Sequence, residues 1–169
     1  MTASHGKNGG GERVLAEHIV DFVHGPYAML LGTRDAKMAP LGTFVGGARA
    51  DAGNDQVTLY IADVYAEPAL ANLRDNGQAA LTMGHGARHE TMQLKGTFVE
   101  ARPTTEEERA IQDIYKTKCQ NVWRQELGDV GAAMFERMVF TPSTAVTMRV
   151  TEVFDQTPGP NAGKKLAVE

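Results

Sequence analysis

Short runs of β-branched and aromatic residues, each closed by a turn, follow one another from Tyr27 to Phe154, and this succession limits the fold more than any other feature of the chain. Tyr27–Thr33 ends in the polar turn Arg34-Asp35-Ala36-Lys37, and Pro40–Ala48 resumes with Leu41, Thr43 and Val45 in alternation. Such alternation is hairpin patterning, because a period of two turns one face of each strand toward a core. Val57–Ala62 follows the turn residues 51–55, Ala79–Met83 and Thr91–Ala101 flank the loop 84–89, and Ala145–Phe154 alternates cleanly. Strands that arrive as successive hairpins pair antiparallel, so the expected fold is mainly β, a six-stranded antiparallel barrel with helices over its openings.

Three segments carry the helical period instead. Val14, Leu15, His18, Ile19, Phe22 and Val23 mark Glu12–His24, closed by Gly25-Pro26, with His18 read as a packing histidine on the apolar stripe. Ala66–Arg74 has Pro68 near its start, Leu70 and Leu73 on one side and Gly77 beyond its end. Thr104 with Glu107 forms a capping box that opens a third helix, whose stripe of Ile111, Ile114, Tyr115 and Val122 runs on to Gly128. The carboxylates of residues 106–108 belong to that helix start, where the macrodipole favours negative charge. Met134–Phe140 fits a helix and a strand equally well. No repeat or low-complexity linker divides the body. The expected organisation is a flexible N-terminal segment over 1–11, one domain over 12–155, and a tail over 156–169 that carries Pro158, Pro160 and Gly163.

Composition removes several functions. With 17 Lys and Arg against 21 Asp and Glu, the net charge of -4 offers no positive field to a phosphate backbone, so nucleic acid is not an expected partner. No apolar run approaches the roughly 20 residues that cross a bilayer, so no membrane is expected either. The single cysteine, Cys119, makes no intramolecular disulfide, and no secretion-like segment opens the chain; a cytoplasmic location is the expectation. Lys116 and Lys118 lie near Cys119, but no His or second Cys does, and it is assigned no catalytic role. The sequence holds no G-x-G-x-x-G, P-loop, G-x-S-x-G or H-E-x-x-H motif. His85 and His89 flank Gly86-Ala87-Arg88, a spacing that suits a solvated hairpin loop better than a metal pair. No catalytic residue and no metal site is read.

Taken in order, the pieces resemble a known family. Leu30–Leu41, an apolar strand ending in Gly32-Thr33, turning, and resuming at Pro40, resembles the opening hairpin of the pyridoxamine 5'-phosphate oxidase-like, FMN-binding split barrels. Leu59–Ala62 followed by Asn72–Thr82 is similar to that family's strand, short helix with an Asn-Leu pair, and next strand. Leu94–Ala101 and the acidic helix after it resemble what comes next. The resemblance implies a six-stranded split β-barrel, a homodimer with FMN in two equivalent grooves at the interface, and oxidoreductase chemistry on a small-molecule substrate. It also implies that the flavin phosphate is held by a Thr or Ser at the end of the third strand and a Lys or Arg at the start of the following helix.

Those positions here are Ala62 and Ala66-Glu67-Pro68-Ala69, and Glu67 repels a phosphate, which wants fixed donors and a cation. Two readings follow. In one the chain is a flavoprotein whose phosphate is held by other donors. In the other it is a flavin-free barrel that binds haem, through His85 or His89, or serves as an interaction module. For the flavoprotein, Arg34, Thr43, Phe44, Ala62 through its backbone, Asp63 and Thr91 are the expected cofactor contacts. Tyr60, Tyr65 and Trp123 are further ring candidates, each otherwise a filler of the core or the dimer seam.

Overall fold

Where the alternation of apolar and polar residues holds, the chain is strand, and where glycines interrupt it the strand bends or ends. A computed structural model describes residues 15–166. In chain order the elements are α1 (Glu17–Val23), β1 (Ala28–Arg34), β2 (Pro40–Phe44), β3 (Ala48–Ala50), β4 (Gln56–Ala62), α2 (Asp63–Asn76), β5 (Gln78–Gly84), β6 (Thr91–Pro103), α3 (Glu106–Glu136), β7 (Ser143–Asp155) and β8 (Lys164–Leu166). Every strand pair is antiparallel, in the order β2-β1-β5-β6-β7-β4-β3, with β8 added on β7.

The sheet has eight strands, not the six expected from sequence. One extra strand arises because Pro40–Ala48 is not continuous. The Val45 N–H turns to the Met29 carbonyl, the Gly46 N–H to the Tyr60 carbonyl, and Gly47 adopts φ 119, a conformation that favours glycine. β2 therefore stays on β1 while β3 crosses to β4, and this bend joins the two ends of the sheet order. The other extra strand is β8, which lies in the segment expected as a tail and pairs its Lys164, Lys165 and Leu166 with Asp155, Phe154 and Val153.

The helices keep their expected places with shifted ends. α1 starts at Glu17 because Ala16 is extended and the Leu15 N–H donates to the Asn54 carbonyl; residues 12–14 of the expected helix, like the expected flexible segment 1–11, lie outside the described residues. Ile19, Val20 and Val23 take its buried face and His18 is exposed, so the packing role read for His18 belongs to Val20. α3 is capped one residue later than expected, by Thr105 and Glu108, because the Thr104 hydroxyl is engaged with Ser143. Gly128 breaks the helical path at φ 66, as its position suggested, yet helix resumes to Glu136. The ambiguous run Met134–Phe140 thus begins as helix.

Glu108 is buried, receives two 2.8 Å hydrogen bonds from Arg102, and accepts the Thr105 N–H at 2.8 Å. The Arg102 hydrogen bonds, outweighing burial, hold its carboxyl down to about 2 from an ordinary value near 4.5. Removing it as Glu108→Ala is expected to cost about 2 kcal/mol. Since the folded-state value is depressed, this stabilisation is complete above about pH 4.5 and is lost as pH falls toward about 2. Urea denaturation across that window is expected to show a flatter acid limb for Glu108→Gln than for the native chain.

Alternate residues of β1, β4, β5 and β7 fill the barrel, with Met29, Leu31, Leu59, Ile61, Leu81, Met83 and Met148 wholly buried. Ile19 and Val23 of α1 and Leu70 and Leu73 of α2 join the same cluster. Among the described residues no helix is long and apolar enough to cross a membrane.

Candidate functional site

Residues directly opposite one another in an antiparallel ladder share a face. Following the register across the sheet therefore maps the side that points away from the core. One row reads Gly42, Gly32, Ala80, Lys95, Glu152 across β2, β1, β5, β6 and β7. The next row reads Phe44, Leu30, Thr82, Gln93, Phe154. Three adjacent strands thus present almost nothing above the backbone at Gly42, Gly32 and Ala80, a flat strip about 10 Å across at ordinary strand spacing. Leu30, 52% exposed, and Phe44 stand along one side of the strip. Arg34, Gln78 and Thr97 stand along the other, around an open groove of about 350 Å³.

Neither glycine in the strip is demanded by the fold. Both have ordinary extended backbone, a Cβ at Gly42 meets nothing within 4 Å, and one at Gly32 makes only contact distances of 3.5 and 3.9 Å to Ala80. A glycine inside a strand weakens it, so two side by side without a conformational reason mark a surface kept flat for something that approaches closely. The hydrogen bonds of α2 hold this edge in place. Asn72 Nδ2 donates to the Thr33 hydroxyl at 3.0 Å and Asn76 Nδ2 to the Arg34 carbonyl at 2.8 Å. The Asn-Leu pair of the sequence is thus a clamp on the end of β1, with Leu73 in the core. Asn72→Ala is expected to lower stability by about 1 kcal/mol, read from the urea midpoint.

Of the six expected cofactor contacts, the structure brings Arg34 and Phe44 to the edges of this strip. The Arg34 guanidinium donates to the Asp35 carbonyl at 3.2 Å and, among the described residues, forms no ion pair. Phe44 packs edge-on against Phe140, with ring centres 5.9 Å apart. Thr43 lies on the opposite, inner side of β2 and is buried. Thr91 shares the outer face but sits at the far end of β6, where its hydroxyl donates to the His89 carbonyl. Ala62 and Asp63 lie apart, at the start of α2.

That start is where the resemblance puts the flavin phosphate, and its chemistry is unfavourable. The Asp63 N–H is taken by the Pro142 carbonyl, the Asp63 carboxylate accepts the Thr144 hydroxyl at 2.8 Å, and Glu67 pairs with Arg74 at 3.1 Å. Among the described residues the one cation lining the adjacent groove is Arg109, which donates to the Thr104 carbonyl at 2.7 Å. Sequence reading missed Arg109 because it arrives from α3, far along the chain. The strip itself needs the register of the sheet, because Gly42, Gly32 and Ala80 come together only there.

The remaining candidates are structural. Tyr60 is wholly buried with its hydroxyl unpartnered, and burial pushes it up to about 12. Cys119 is buried and pushed up to about 11, also by burial, so it is an inert thiol. Trp123 is half-buried against Phe135. His85 is buried in its hairpin loop, where Nδ1 accepts the Ala87 and Arg88 N–H groups at 3.3 and 3.2 Å. Its proton is then on Nε2, which leaves no ring lone pair for an iron. On this loop a haem ligand falls to the exposed His89. Among the described residues no group of three His, Cys, Asp or Glu converges on a metal position.

The family model described as pyridoxamine 5'-phosphate oxidase matches residues 15–156. Among solved structures, HupZ of Group A Streptococcus is similar with a TM-score of 0.52 and 19% identity, over 88% of this chain and 99% of that one. An F420 reductase is similar with a TM-score of 0.51 and 11% identity, over 79% of this chain and 93% of that one. An FMN-binding protein from Syntrophomonas wolfei is similar with a TM-score of 0.51 and 10% identity, over 82% of this chain and 86% of that one. At such identities the likeness is one of fold. No curated protein matches the sequence. Since the family model spans the barrel from two residues before α1 to the one after β7, the chain belongs to the pyridoxamine 5'-phosphate oxidase family.

Proposed function

We propose that the chain is an FMN-binding flavoprotein, an oxidoreductase acting on a small molecule, which seats the flavin ring on the Gly42, Gly32 and Ala80 strip. The observation that carries this reading is the strip itself. It is about as long as three fused rings at ordinary strand spacing, and its glycines serve no need of the backbone. Arg34 at its edge supplies the cation that the start of α2 lacks, with Lys95 on the neighbouring row position. The phosphate of FMN is thereby assigned to the Arg34 side of the strip, away from Asp63 and Glu67.

A single copy leaves this face open, so the reading includes a homodimer in which a second copy covers the ring and excludes water. When bound, FMN supplies the redox chemistry. The protein's part is to fix the ring against the strip, to hold the phosphate with Arg34, and to offer Thr82 and Gln93, already joined at 2.9 Å, as polar atoms beside the ring.

Titration of FMN into the apo-protein, followed by quenching of flavin fluorescence, tests the reading. Saturable binding at one flavin per chain is expected, weakened about tenfold or more in Arg34→Ala, since a hydrogen bond to a charged group contributes about 1.5–3 kcal/mol. Arg109→Ala is expected to leave it unchanged. Sensitivity to Arg109 with indifference to Arg34 would return the phosphate to α2, and binding of haemin in place of FMN would overturn the assignment altogether.

A further inference from the structure

We propose that the groove between α3 and the loop joining β5 to β6 is a binding site for a small hydrophobic ammonium ion. The groove encloses about 180 Å³, room for one six-membered ring and a short chain. Its walls are apolar, with Trp123 and Val122 from α3, Pro26 from the segment before β1, and Leu127, 53% exposed, at the mouth. The loop comes close above the indole: a Cβ at Gly86 would lie 3.9 Å from the Trp123 ring. This shape is preformed, because the buried His85 ring accepts the N–H groups of Ala87 and Arg88 and fixes the turn.

Charge selects the occupant. Among the described residues Glu126 is the one charged side chain lining the groove, and it forms no ion pair there. The ion pairs closest to it in sequence or at the loop, Arg124 with Asp129 and Arg88 with Glu90, are internally matched. An apolar pocket with an unneutralised carboxylate at its rim and an indole in its wall suits a ligand with a hydrophobic body and a positive end. The ring quadrupole attracts a cation and the carboxylate pairs with it. A carboxylic acid of the same size meets repulsion, and a neutral one leaves Glu126 unused.

Trp123 is the only tryptophan in the chain, so its emission reports on this groove alone. The full-length protein is titrated with 2-phenylethylammonium, with phenylacetate and benzyl alcohol as comparators. The expected result is a saturable change of emission with the ammonium ion, binding about fivefold weaker for benzyl alcohol, and none for phenylacetate. Glu126→Gln, an exposed position, is expected to keep the fold and to narrow the gap between the ammonium ion and the alcohol, leaving only the preference that the Trp123 indole gives a cation. An absence of saturable change, or phenylacetate binding as well as the ammonium ion, overturns the proposal. So does an emission that tracks protein concentration alone, which would mean that a second copy fills the groove. The same titration of Gly32→Val separates the two sites, because that variant alters the flavin strip and leaves this groove as it is.

Discussion

Gly32→Val is expected to abolish useful FMN binding without unfolding the protein. The first side-chain carbon meets Ala80 only at 3.5 and 3.9 Å, and the neighbouring Gly42 leaves open space, so the branched side chain is accommodated on the outer face. Replacing a glycine within a strand gains about 0.5–1 kcal/mol in backbone entropy alone. A planar ring lying on the strip meets the valine methyl groups instead, and overpacking of that kind costs about 3 kcal/mol, or a hundredfold in affinity. The two effects run in opposite directions, which makes the variant informative. Thermal unfolding is expected to rise or hold while the flavin titration fails. A fall in both would mean that Gly32 serves the fold, and an unchanged flavin affinity would place the ring elsewhere.

Gly96→Ala is expected to do the reverse, damaging the fold wherever the cofactor sits. At Gly96 a Cβ would overlap the Arg149 carbonyl oxygen and lie 2.8 Å from its carbon, backbone atoms of the partner strand that do not yield as a side chain does. The position lies at a register shift between β6 and β7, where the two chains come unusually close. Separating them breaks the ladder between the two longest strands of the sheet. A loss of about 3 kcal/mol or more is expected, a fall in melting temperature of about 10 °C for a chain of this size. A shift under about 2 °C in a thermal melt would show that the ladder relaxes around the added methyl.

These two glycines also mark how far the sequence can be read. Local patterns find the strands: alternation identifies Ala145–Phe154 within β7, and the loop 84–89 correctly joins β5 to β6. What needs the third dimension is adjacency. Gly32 and Gly42 face each other across one hairpin, but Ala80 lies far along the chain and joins them only through the register of β1 with β5. Gly46-Gly47 turns the chain from β2 to β3, a break that the alternation over Pro40–Ala48 does not show. The capping box moves by one residue because a distant group, Ser143, engages the Thr104 hydroxyl and leaves the cap to Thr105. β8 has no period to detect, being three residues long, and it is held by its ladder to β7 and by the Lys165–Glu152 ion pair, neither of which leaves a pattern in the sequence. At the site, Arg34 and Phe44 are legible from their strand and turn positions, whereas Thr43 is suggested by its type alone and its strand turns it inward.

The resemblance locates the family correctly and also points to where this chain departs from it. Ala62 and Glu67 stand in the sequence where phosphate holders are missing, and the bonds of Asp63 and Glu67 give that absence a geometry. On the proposed reading the phosphate needs a different anchor, and Arg34 lies at the edge of the strip and makes no ion pair among the described residues.

A crystal structure of the protein grown with FMN tests the central claim most directly. The account predicts a homodimer with one flavin per chain, its ring in van der Waals contact with the backbone of Gly32 and Gly42 and its phosphate against the Arg34 guanidinium. A flavin whose phosphate lies at the start of α2 beside Asp63, or a strip covered by the second copy with no space for a ring, would contradict it.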